Sequence, residues 1–91
     1  MSDQPEPRFT LEEARQVGEA IGVEWSTARF DTEQFRTGME VELEHGRTDA
    51  ATNVTDDDPL LTGKIVLAHL NELPDYYDRL AEMEAAATRS R

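Results

Sequence analysis

Two short segments stand out for the chemistry their residue types and spacing could do. Glu42-Leu43-Glu44-His45 and His69-Leu70-Asn71-Glu72 each set a glutamate and a histidine three residues apart, and together they hold both histidines of the chain. On an α-helix such residues are neighbours on one face, so each segment presents a carboxylate beside an imidazole. At about 100° per residue, Glu42 falls among Phe35, Gly38 and Met39. On the same count His69 and Glu72 fall within the arc set by Leu61, Ile65 and Ala68. A carboxylate left unpaired on an apolar face costs several kcal/mol, so these groups require partners.

A metal ion is one partner that would satisfy all four groups. Glu-x-x-His on facing helices is how helix bundles hold carboxylate-bridged metal pairs, and imidazole with carboxylate suits Fe, Mn or Zn. Glu42, His45, His69 and Glu72 are therefore the candidate metal ligands. The ferritin-like pattern also draws glutamates from further helices, and none in this sequence is obviously placed to serve. The competing reading is a buried polar network in a non-enzymatic interaction or structural module. In it Glu42 pairs with an arginine such as Arg15, Arg36 or Arg79, His69 bonds to Glu72, and His45 sits at the negative end of a helix dipole. Neither reading names a reaction, a substrate or a catalytic residue.

Helix geometry bears on the choice. If the two Glu/His helices ran antiparallel, a rise of about 1.5 Å per residue would hold Glu42 and His69 roughly 10 Å or more apart along the axis. A common site needs one of two arrangements. Either the long connection over 46–57 returns along the first of these helices so that the two lie parallel, or a two-fold homodimer joins the pairs from two chains.

The elements that must position these residues read as helices throughout. Thr10-Leu11-Glu12-Glu13 has the pattern of a capping box, with Phe9 as a hydrophobic staple onto Ala14. Leu11, Ala14, Val17 and Ile21 continue at helical spacing to Gly22, which predicts a first helix over about 11–21. Val23, Trp25 and Phe30 lie in the connection that follows, with Trp25 read as a packing anchor. Asp31-Thr32-Glu33-Gln34 repeats the cap pattern and Gly46 offers a stop, giving a second helix over about 32–45. Asp58-Pro59 opens a third helix through Glu72, and Pro74 ends it and opens a fourth through Tyr76, Tyr77, Leu80 and Met83. Both tyrosines are read as packing residues. The expected fold is all-α, a small bundle of about four short helices over 9–84, with flexible tails at 1–8 and 85–91.

Composition sets the outer limits. With 91 residues the chain suits one small domain, and with no cysteine it has neither disulfides nor thiolate chemistry. Twenty acidic against nine basic residues give a net charge of −11, which argues against nucleic acid or anionic membrane as partners. No run is apolar enough for a membrane span or a signal peptide, so the expected compartment is the cytoplasm. Asp56-Asp57-Asp58 lacks the glycine and terminal glutamate of an EF-hand and reads as a helix-capping run. The Asn53-Val54-Thr55 sequon has no meaning without a secretory route. No phosphate loop or nucleophile motif occurs. A core this small makes association with a second copy, or with an unidentified protein partner, the expected means of completing it.

The stretches Phe35-Arg36-Thr37-Gly38-Met39-Glu40-Val41-Glu42-Leu43-Glu44-His45-Gly46 and Thr62-Gly63-Lys64-Ile65-Val66-Leu67-Ala68-His69-Leu70-Asn71-Glu72-Leu73-Pro74-Asp75-Tyr76-Tyr77 resemble a widespread family of short bacterial and phage proteins of unknown function. The likeness spans about residues 9–84. It implies a stand-alone small domain and carries no catalytic residue or cofactor with it.

Overall fold

A computed structural model of the chain describes residues 8–48, 50–53, 56 and 58–89. Most of the expected N-terminal tail, Val54 and Thr55 of the sequon, Asp57 of the acidic run, and Ser90 and Arg91 lie outside the described residues. Within them the fold is an all-α bundle: α1 (Leu11–Ala20), α2 (Thr32–Thr48), a 3-10 turn (Ala50–Thr52), α3 (Pro59–Glu72) and α4 (Tyr76–Arg89).

The helix starts follow the local chemistry of the sequence. The Thr10 side chain accepts from the Glu13 backbone N–H at 3.0 Å, and the Glu13 carboxylate accepts from the Thr10 N–H at 2.8 Å. This reciprocal box satisfies donors that the first turn leaves open. Asp31 Oδ1 accepts from the Gln34 N–H at 2.8 Å, and Asp58 Oδ1 from the Leu60 N–H at 2.8 Å ahead of Pro59. Gly22, at φ 100°, takes the left-handed conformation that lets the chain leave α1.

Three elements differ from expectation. The second helix does not stop at Gly46 but continues to Thr48, with Gly46 buried inside its last turns rather than ending them. On α3 the buried residues are Thr62, Gly63, Val66 and Leu70, whereas Leu61 is 41% exposed and Ala68 is exposed. That helix is apolar on nearly every side, so periodicity could not fix which face turns inward. The fourth helix runs on to Arg89, past Ala85.

α1, α2 and α3 pack on one another around Phe35, Met39, Leu43, Val66 and Leu70, with Tyr77 of α4 closing the core. Trp25 anchors the α1–α2 connection as expected. Its ring lies so close over Gly18 that a Cβ there would overlap it, its indole N–H donates to the Arg15 carbonyl at 3.3 Å, and Phe30 and Phe35 meet its edges.

α2 and α3 are parallel neighbours. Phe35 meets Gly63, Gly38 meets Val66 and Glu42 meets His69, so contacts advance along both helices together. Gly38 is a point of close approach between α2, α3 and α4. A Cβ there would stand 2.5 Å from Tyr77 Cε2 and 2.6 Å from Val66 Cγ1. In an ordinary helix interior Gly→Ala stabilises by about 1 kcal/mol. Here overpacking, which typically costs about 1–3 kcal/mol, should reverse the sign. Gly38→Ala is therefore expected to lower the urea midpoint and Tm, and an unchanged or raised midpoint would contradict the three-helix approach at this residue.

Candidate functional site

The parallel register carries Glu42 and His69 to the same level of the bundle, and α4 delivers a third group to it. His69 Nδ1 lies 3.0 Å from Glu42 Oε2, and the Tyr77 hydroxyl donates to the same oxygen at 2.8 Å. Nδ1 and the hydroxyl oxygen are 3.1 Å apart. A carboxylate offers only acceptors, so the imidazole presents Nδ1–H and one oxygen receives two donors from two other helices. The Glu42 side chain is 11% exposed and that of His69 33% exposed, which places the pair at the rim of the core with the carboxylate inward.

Aromatic packing fixes the imidazole further. The Tyr76 ring stacks on His69 with centroids 4.3 Å apart and planes 12° apart, while Tyr77 meets both rings edge-on. Outside these contacts a third of the His69 side chain stays exposed.

The other two members of the expected quartet lie elsewhere. His45 is exposed and borders a groove between α2 and α4 with Val41, Glu44 and Glu84. Glu72 is exposed at the end of α3. With the buried arc of α3 centred on Val66 and Leu70, Glu72 turns away from it while His69 stays at its edge. Among the described residues no group of three or more histidine, aspartate or glutamate side chains is gathered as metal ligands would be. The arginines that might have met Glu42 have nearer partners: Arg15 holds Glu12 and Glu19, Arg36 holds Glu33, and Arg79 holds Asp75.

Tyr77 is the participant that periodicity did not single out as polar. Its ring is buried core, and a tyrosine on an apolar arc carries no sign of whether its hydroxyl finds a partner. The nearest signal is the unpaired carboxylate, which demands a donor from some facing helix.

Burial, and then the hydrogen bond to Glu42 and its negative charge, push the Tyr77 hydroxyl well above the ordinary tyrosine range. Below about pH 10 the folded and unfolded chains both keep the phenol proton. Above it the unfolded chain releases a proton that the native chain retains, so this group lowers stability as pH rises. Tyrosinate absorbance should therefore fall short of both tyrosines until the alkaline unfolding transition. Full absorbance near pH ~10 with helicity intact would contradict the buried, carboxylate-bound hydroxyl.

No curated protein and no solved structure matches the chain. A family model described as "Protein of unknown function (DUF5661)" matches residues 14–86 and takes in all of α2 and α3 and most of α1 and α4. The chain belongs to this family, the domain of unknown function DUF5661.

Proposed function

We propose that the chain is a non-enzymatic interaction or structural module in which Glu42, His69 and Tyr77 form a polar clasp across α2, α3 and α4. The observation that carries this reading is the double donation to Glu42 Oε2, from His69 at 3.0 Å and from Tyr77 at 2.8 Å. That oxygen is already satisfied, so an ion would have to displace both donors to reach it. The third group is a phenol whose hydroxyl proton is already given to Glu42. Catalysis at His69 would need a concave site around it. Among the described residues, three grooves, against the 22–31 connection, between α2 and Glu84, and along Leu73–Met83, have no wall from His69.

The competing reading is transition-metal binding, with Fe, Mn or Zn held by Glu42, His45, His69 and Glu72 and the set completed by a second copy. Tag-free protein titrated with Zn2+ and followed by Tm separates the two. As a clasp, the wild type shows no saturable rise in Tm, His45→Ala is silent, and His69→Ala is destabilised by about 1–3 kcal/mol through the lost hydrogen bond. A saturable rise, about 2.7 kcal/mol at a hundredfold excess over Kd, would overturn the clasp reading if both histidine substitutions abolish it.

A further inference from the structure

We propose that α4 is a strap that lifts from the bundle as a unit while α1, α2 and α3 stay packed, with the Tyr77 hydroxyl as its latch. This rests on the clasp reading and says what the clasp holds shut. Tyr77 is the one buried core residue that α4 supplies among the described residues, and the others lie between Phe9 and Leu70. Tyr76 and Leu80 pack half-buried against that core, whereas every described side chain from Ala81 to Thr88 is exposed. The burial that holds α4 is thus concentrated between Tyr76 and Leu80. Its polar ties fall in the same short stretch: the Tyr77 hydroxyl to Glu42 at 2.8 Å, and Gln34 Nε2, which donates to Asp78 Oδ2 at 3.2 Å.

Three features make the strap separable. Leu73 is extended, at φ −147° and ψ 101°, and Pro74 has no N–H, so no helical ladder carries α3 into α4. Glu42 Oε2 keeps its donor from His69, 3.0 Å away, when Tyr77 leaves, so lifting strands no bare carboxylate. The seven other buried residues of the core stay together on the remaining elements. Lifting uncovers the seat of the Tyr77 ring, an apolar floor at Gly38 and Val66 with Glu42 and His69 at its end. The clasp therefore sets how often the module presents this part of α2 and α3. A lifted helix of fourteen residues is marginal in water, so its amides exchange while the rest stay protected.

Native-state hydrogen exchange on the full chain, followed residue by residue by NMR at neutral pH, tests the proposal. The amides from Leu80 to Ala85 are expected to share one protection factor, at least about a hundredfold below those of Met39, Leu43 and Val66. Val17→Ala trims a side chain that packs against Gly63 between α1 and α3. It should lower protection of the core amides about tenfold and leave α4 unchanged, because the closed and the lifted states both contain that contact. Tyr77→Phe should lower α4 protection about tenfold with the helical circular dichroism retained. Protection in α4 that equals the core's and falls with it in Val17→Ala would overturn the strap, since α4 would then open only when the whole chain unfolds. Protection in α4 that Tyr77→Phe leaves unmoved would overturn the latch. A clasp that fails as a reading shows itself differently, as the saturable Zn2+ rise in Tm, and a strap that fails with no such rise leaves the clasp standing.

Discussion

A carboxylate set where three helices meet must be satisfied by whatever packs against it, and this constraint at Glu42 orders the bundle outward. The donor from α3 is His69 and the donor from α4 is Tyr77, and both reach one oxygen. Those distances hold only if α2 and α3 run parallel in a fixed register and the first turn of α4 crosses α2 one turn before Glu42. Gly38 permits that crossing, since any side chain there would strike the Tyr77 ring and Val66. Polar satisfaction and close packing thus specify the same arrangement, which is the agreement between levels that marks a sequence with one preferred fold.

The clasp and the apolar core divide the work of stability differently. Phe35, Met39, Leu43, Val66 and Leu70 provide the burial, and replacing one apolar side chain by another of similar volume is tolerated in such a core. The polar contact is less forgiving. Its net contribution to folding is modest, but removing one member leaves a desolvated partner unmet, and it discriminates against registers in which Glu42 would face a hydrophobic neighbour. The stacking of Tyr76 on His69 extends this control to the start of α4, so that Pro74, Tyr76 and Tyr77 together set the direction in which the last helix leaves the bundle.

Much of this was legible in the sequence, and what was not has physical reasons. The caps at Thr10, Asp31 and Asp58 depend on residues a few positions apart, so their chemistry could be read directly, as could Gly22 and the anchoring role of Trp25. The oddity of Glu42 on an apolar arc was also visible, as was the need for a facing partner. The partner's identity was not. Register between α2 and α3 is set by how the chain passes from Thr48 to Pro59, a non-local matter that periodicity does not encode. The apolar run Leu60-Leu61-Thr62-Gly63-Lys64-Ile65-Val66-Leu67-Ala68 supports more than one buried face, and the face that packs leaves Leu61 and Glu72 outside while retaining His69. His45 looked equivalent to His69 because both have a glutamate one turn away, yet α3 presents no donor or acceptor to it. Of the two arrangements that could join Glu42 to His69, parallel packing does so within one subunit.

The central claim, that Glu42 is held jointly by groups from α3 and α4, is tested most directly by a double-mutant cycle between α2 and α4. Glu42→Gln, Tyr77→Phe and the double variant would be compared with the wild type by urea unfolding at neutral pH. Each single variant is expected to lose about 1–3 kcal/mol. The double variant is expected to lose clearly less than the two combined, with a coupling of about 1 kcal/mol or more. Losses that simply add, to within about 0.5 kcal/mol, would mean that the carboxylate and the phenol act independently and would contradict the clasp.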